Sequence, residues 1–203
     1  VIADAERLGT YECIPEPDIF DIEYWSLEQA KLSAAAEKPL ARRIVVVTGG
    51  GSGIGAATAA AFAREGAEVA VLDRDVSNVK GLGIACDVTD PASVRSAFDK
   101  VAATYGGVDI VVSNAGAAWQ GKIGEVEEAV LRQSFELNFW AHQSVAQNAV
   151  RIMKAQAIGG CLLFNASKQA VNPGADFGPY GLPKAATLFL SRQYALDYGA
   201  DGI

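Results

Sequence analysis

The sequence predicts an α/β fold in which a doubly wound parallel sheet carries helices on both faces. Three features lead there. From Arg42 onward, short β-branched runs alternate with Ala-rich helical stretches, the texture of strand–helix–strand units. Each run is apolar on both faces, as a strand must be when helices cover both sides of its sheet. The first run enters a glycine-rich turn that opens directly into a helix.

Residues 1–40 stand apart from this texture. They hold Pro15, Pro17 and Pro39, carry no sustained strand pattern and contain one helical stretch at 26–36 with Ser26 placed to cap it. A linker or N-terminal extension is expected there, with the folded domain at 41–203. Strands are expected at 44–47, 69–72, 82–86, 110–112 and Cys161–Phe164, and helices at 54–65, Pro91–Tyr105, 125–156 and 180–198. Gly66 and Gly106 follow two of the helices as the residues that end them. Pro183 would remove a backbone bond from a helix interior, so the last helix should begin near Pro179 or Tyr180 and hold this proline in its first turn. One connection is short. Only 12 residues between Asp73 and Cys86 carry a crossover and much of the next strand, so its helix is vestigial or residues are absent from this numbering. The chain starts at Val1 and stops at Ile203 just after a helical pattern, and both ends are expected to be cut from something larger.

Composition narrows the partners. The 203 residues carry 17 Lys+Arg against 24 Asp+Glu, a net charge of −7, and half of them are apolar, the balance of one globular domain. An acidic chain has no broad basic surface to neutralise phosphates, so nucleic acid is not an expected partner. No apolar run approaches the roughly 20 residues of a membrane span, and no secretory leader pattern opens the chain, so a cytoplasmic protein is expected. Cys13, Cys86 and Cys161 form no CxxC pair, which indicates neither a zinc site nor a disulfide framework. The one histidine, His142, reads as a packed or surface residue with no assigned role.

Two constellations carry chemistry. Thr48-Gly49-Gly50-Gly51-Ser52-Gly53-Ile54-Gly55 joins the first strand to the first helix, where glycines let the backbone approach an anion and the helix start offers free N–H groups and a positive dipole end. Asp73, at the end of the second strand, is the acid that a dinucleotide site uses to accept hydrogen bonds from the adenosine ribose. A carboxylate there repels a 2′-phosphate, which favours NAD, while Arg74 beside it keeps NADP open. No lysine follows the last glycine, so the pattern of a P-loop is not met. The second constellation is Tyr180 with Lys184, spaced so that both meet on one helix face. Ser167 follows the last expected strand, at the carboxyl edge where open α/β sheets bind ligands. Asn138 sits inside a long helix between Phe135, Leu137, Phe139 and Trp140, and a buried amide there needs partners.

Together, TGGGSGIG at 48–55, Asp73, CDV at 86–88, SNAG at 113–116, Asn138, Ser167 and Tyr180-Gly-Leu-Pro-Lys184 resemble the short-chain dehydrogenase/reductase family over residues 42–203. The resemblance implies a Rossmann-type fold and an oxidoreductase that transfers hydride between an alcohol or aldehyde and a nicotinamide. It implies that Gly49, Ser52, Gly53, Ile54 and Gly55 hold the cofactor phosphates and that Asp73 holds the adenosine ribose. Asp87 and Val88 would then bracket adenine, and Asn114, Ala115 and Gly116 would pass beside the nicotinamide half. Ser113 departs from the family's usual Asn. Tyr180 becomes the general base, and because a free phenol has a pKa near 10, it needs the nearby charges of Lys184 and of the oxidised nicotinamide to ionise. Lys184 would also contact the nicotinamide ribose, Ser167 would donate to the substrate oxygen, and Asn138 would position a water linking Lys184 to solvent. The two strands and covering segment that the family places after its Tyr/Lys helix are absent from this sequence, which would leave Cys161–Phe164 as a sheet edge.

The stretch from Tyr11 to Lys31, leading into Lys38-Pro39-Leu40, resembles the segment joining the two halves of bacterial bifunctional rhamnulose-1-phosphate aldolase/short-chain dehydrogenase proteins. That implies a fused aldolase domain N-terminal to this chain, lactaldehyde as substrate and a place in rhamnose catabolism. Two other readings stay open, an NADPH-dependent carbonyl reductase and a noncatalytic dinucleotide-binding sensor. The Ala- and Leu-rich helices at 125–156 and 180–198 are expected to pair across two-fold axes into a homodimer or homotetramer.

Overall fold

A computed structural model describes residues 37–203, together with Pro15 and Asp18; the helix expected at 26–36 lies outside the described residues. The elements run β1 (Ile44–Thr48), α1 (Gly53–Arg64), β2 (Glu68–Asp73), β3 (Leu82–Ala85), α2 (Pro91–Tyr105), β4 (Ile110–Ser113), α3 (Glu128–Phe135), a π-helical turn (Glu136–Trp140), α4 (Ala141–Gln156), β5 (Cys161–Phe164) and α5 (Gly178–Tyr198). The sheet has the order β3-β2-β1-β4-β5 and every pairing is parallel. Val45 lies opposite Val69 of β2 on one side and Ile110 of β4 on the other. The chain therefore leaves β1 toward one half of the sheet and returns at β4 to build the other. Where the winding reverses, the carboxyl ends of β1 and β4 open a crevice for ligand.

Alternation along β1 explains why its residues are apolar without period. Val46 packs with Ala70, Leu72, Phe98, Val111, Val145 and Met153 on one face, under α2 and α4. Val45 and Val47 pack with Val71, Val112, Ala59 and Ala67 on the other, against α1. All three β1 valines are fully buried, and each such side chain stabilises the fold by about 1.5–3 kcal/mol. Local signals set the helix ends. Asp90 accepts the Ala92 N–H at 2.9 Å, Pro91 occupies the first turn, and Gly106 ends α2 at φ 90°.

The short β2–β3 connection carries no helix, in line with the vestigial one expected: residues 74–81 are a run of turns in which Asp73 and Asp75 side chains accept the N–H groups two residues on. Two expectations need correction. The helix expected at 125–156 starts at Glu128 and is interrupted by the π turn that holds Asn138, the kind of insertion that often marks a functional site. The last helix starts at Gly178, because Phe177 O already accepts the N–H groups of Tyr180 and Gly181. Pro183 therefore lies in the second turn, where it leaves the Pro179 carbonyl without its helical donor. Among the described residues β5 is a sheet edge, with Cys161 and Leu163 exposed.

Candidate active site

A cavity of about 1050 Å³ opens at the carboxyl ends of the strands. The β1–α1 turn lines it with Gly49, Ser52, Gly53, Ile54 and Gly55, and the ends of β2 and β3 contribute Asp73, Asp87 and Val88. The end of β4 adds Asn114, Ala115 and Gly116, while α5 brings Tyr180 and Lys184. Each expected cofactor-binding residue thus reaches one cavity.

The turn has the form that a pyrophosphate requires. Gly49 takes φ +65°, and a Cβ there would stand 2.9 Å from Ala115 Cα. A Cβ on Gly55 would overlap the Gly49 carbonyl oxygen, so only glycine lets α1 begin this close to β1. Ser52 caps α1 without a side-chain hydrogen bond, leaving the first N–H groups of the helix open to the cavity. Asp73 accepts from Gly51 N–H at 2.8 Å through Oδ2 and from Asp75 N–H at 3.1 Å through Oδ1. Those bonds fix the carboxylate at the rim beside Arg74, which also lines the cavity. Asp87 accepts from the Thr89 hydroxyl and N–H, and these bonds hold its carboxyl below the usual range, with Arg74 adding to the effect.

Thr48 and Asn114 clasp the sheet ends together. Thr48 Oγ1 accepts the N–H groups of Asn114 and Ala115 at 2.9 and 3.1 Å, and Asn114 Nδ2 donates to Thr48 O at 3.0 Å. Asn165, just after β5, donates from Nδ2 to Asn114 Oδ1 at 2.8 Å. Sequence reasoning missed Thr48 and Asn165 as clasps, although each stands at the end of a strand beside expected site residues.

The Tyr180/Lys184 end is more deeply buried. Lys184 is 3% exposed, its Nζ lies 6.0 Å from the Tyr180 ring centroid and donates to Asn165 O at 2.8 Å. Burial lowers its pKa to about 8. His142 is also buried; its Nε2 lies 3.1 Å from Lys184 Nζ and its Nδ1 2.7 Å from Ser113 Oγ. His142 is thus the packed residue expected, and because α4 packs under β4 its ring lies beside Lys184. Asn138 is fully buried in the π turn, where Nδ2 donates to Ala117 O and Ser134 Oγ and its own carbonyl accepts from Thr187 Oγ1 at 2.6 Å. Asn138 Oδ1 has no hydrogen-bond partner among the described residues. It lies 2.9 Å from the Cβ position of Gly116, and Lys184 Nζ lies 3.3 Å from the same point. Ser167 is placed differently: it caps the short Lys168–Ala170 turn by accepting Gln169 N–H at 3.2 Å and is not among the cavity's lining residues. No cluster of metal-ligating side chains forms among the described residues.

A glycine cradle at a helix start, an acid at the end of the next strand and a Tyr/Lys pair facing the same cavity define a dinucleotide-dependent oxidoreductase. Comparison with known proteins agrees. Residues 43–203 match the family model of the short chain dehydrogenases, and residues 1–32 match that of the second domain of class II aldolases. The chain belongs to the short-chain dehydrogenase family, whose members use NAD or NADP. It is 33% identical to the uncharacterized oxidoreductase YuxG of Bacillus subtilis over the whole chain, which spans 32% of that protein. It is 32% identical to D-threitol dehydrogenase of Mycolicibacterium smegmatis, over 85% of this chain and 71% of that one. A short-chain dehydrogenase/reductase from Mycobacterium marinum superposes with a TM-score of 0.77 at 30% identity, covering 81% of this chain and 72% of the other. The ligand-free aldohexose dehydrogenase of Thermoplasma acidophilum gives 0.76 at 30% identity, over 80% of this chain and 64% of that one. The match at residues 1–32 is consistent with the dehydrogenase half of an aldolase/dehydrogenase fusion. No helix of the described residues is long and apolar enough to cross a membrane.

Proposed function

We propose that this chain is the dehydrogenase part of a cytoplasmic aldolase/dehydrogenase fusion and oxidises a small alcohol or aldehyde with NAD, lactaldehyde being the substrate that the fusion suggests. The carrying observation is the Tyr180/Lys184 pair on the first two turns of α5, facing the cavity that Asp73 rims at its far end. A nicotinamide dinucleotide held by the glycine turn, Asp73 and residues 114–116 would supply the hydride acceptor. Tyr180, as the phenolate, takes the proton from the substrate hydroxyl and becomes the phenol, and the Lys184 ammonium stands beside it to favour the ionised form. With an aldehyde, the hydroxyl is that of the hydrate. Ser167 Oγ accepts Gln169 N–H and keeps its own proton, but it does not line the cavity, so its donation to the substrate oxygen rests on the family resemblance alone. Asn138 Oδ1, buried and unpartnered, is suited to receive a water between Lys184 and solvent.

Asp73 supports NAD, and its fixed carboxylate would meet a 2′-phosphate with like charge. Arg74 on the same rim supports the second reading, an NADP-dependent reductase. Initial rates for the complete natural protein with each cofactor, offered lactaldehyde beside polyols and hydroxy acids, separate them. NADH formation from lactaldehyde supports the proposal; turnover only with NADP, or of another substrate alone, replaces the cofactor or the substrate. Dinucleotide binding without turnover of any of them favours a sensor. Trp140, Phe189 and Leu196, exposed on the π turn and α5, support assembly into a homodimer or homotetramer, and a solution mass equal to one chain contradicts it.

A further inference from the structure

We propose that His142 is the residue that orients Lys184: its Nε2 accepts one ammonium hydrogen and the Asn165 carbonyl a second, which leaves a single Lys184 N–H directed into the cavity. An ammonium has three hydrogens and no lone pair. Its neighbour at 3.1 Å must therefore accept, so Nε2 bears no hydrogen and the ring carries its proton on Nδ1. Nδ1–H then donates to Ser113 Oγ at 2.7 Å, and that hydroxyl fixes the tautomer.

The ring is enclosed by three elements. Ser113 faces it from β4, the Phe164 ring from β5 with centroids 6.3 Å apart, and Lys184 from α5, with Tyr180 beyond. Of these, Lys184 and Tyr180 titrate. Burial first, and the Lys184 charge second, lower the His142 pKa to about 3, so near neutral pH the ring is a neutral acceptor while the lysine is charged. A neutral acceptor also supports the ammonium against its own desolvation. Removing it should lower the Lys184 pKa further and turn the remaining N–H away from the cavity. His142 acts through Lys184 and is a positioning residue.

The role matters for catalysis only if Lys184 serves the dehydrogenase site proposed above, so the test begins with measurements that need no substrate. In the full chain carrying isotope-labelled histidine, the resonances lost in His142→Gln identify this ring. They should report a neutral imidazole protonated on Nδ1 from about pH 5 to about pH 9. A ring that titrates near the ordinary value of about 6.5, or one protonated on Nε2, overturns the proposal. With labelled lysine, the Lys184 titration should fall by about one pH unit in His142→Phe and return to within a few tenths of wild type in His142→Gln, whose amide oxygen reaches the same place. An unchanged titration in the folded Phe variant overturns it as well; if that variant does not fold, the wild-type tautomer and the Gln variant decide. Where a substrate is turned over, the alkaline limb of the rate profile should move down with the Phe variant and be restored by Gln. Absence of turnover with every substrate counts against the proposed reaction alone, since the tautomer and the lysine titration still decide the role of His142.

Discussion

The two ends of the cavity are built on different principles. The glycine-turn end is backbone made, drawn from a contiguous turn and from the last residues of strands: Gly49, Gly55 and the N–H groups of α1 shape it, with Asp73 at the rim. The Tyr180/Lys184 end is assembled from side chains that arrive on β4, the π turn, α4, the segment after β5 and α5. At the first end a local rule about φ and helix ends decides the site, so a short motif is enough to find it. At the second, a lysine is held by residues 19 and 42 positions away in the chain, which no local pattern contains.

Substitutions at the two ends should therefore fail differently. The largest expected effect is that of Gly55→Val. Its side chain would occupy the Gly49 carbonyl, and dinucleotide binding followed by fluorescence titration should weaken by roughly two orders of magnitude or more. Asp73→Ser should leave binding of the dinucleotide core and shift the NAD-to-NADP ratio of kcat/KM by roughly ten- to a hundredfold toward NADP. A ratio that does not move would mean that the rim carboxylate does not select the cofactor.

Lys184 gives the sharpest pH test. Its pKa is depressed from 10.5 to about 8 in the fold, so the unfolded chain binds the proton more tightly. Burying the ammonium costs stability below pH 8, and that cost disappears as pH rises from about 8 to 10.5. The stability of Lys184→Met relative to wild type should therefore fall between pH 7 and pH 10 in parallel thermal melts of the cofactor-free proteins. A difference independent of pH would mean that the lysine is not desolvated. The smallest effect belongs to neither end: Asp90→Ala removes the cap of α2 and should lower stability by about 1 kcal/mol in urea unfolding, with little change in rate.

This contrast also explains what was legible in the sequence. The five strands, the glycine turn, Asp73 and the Tyr180/Lys184 pair are local patterns, and the structure places them within a residue or two of where the sequence puts them. The bare turn at 74–81 was only half legible, since a short connection signals a problem without its solution. The π turn was not legible: an extra residue in a helix leaves no mark on an apolar pattern already interrupted by Asn138. The helix start at Gly178 depended on Phe177 O accepting two N–H groups. His142 was legible as a packed residue but its partners were not, since they come from β4 and α5.

The central claim is that Tyr180 performs the proton transfer in a cavity that binds nicotinamide dinucleotide. It is tested most directly by comparing wild type with Tyr180→Phe in the complete protein, measuring cofactor affinity and the rate of NADH formation on the same samples. The account predicts affinity within about threefold of wild type and a rate lower by about 10²- to 10⁴-fold. A Phe variant that binds the cofactor and keeps the wild-type rate would contradict it.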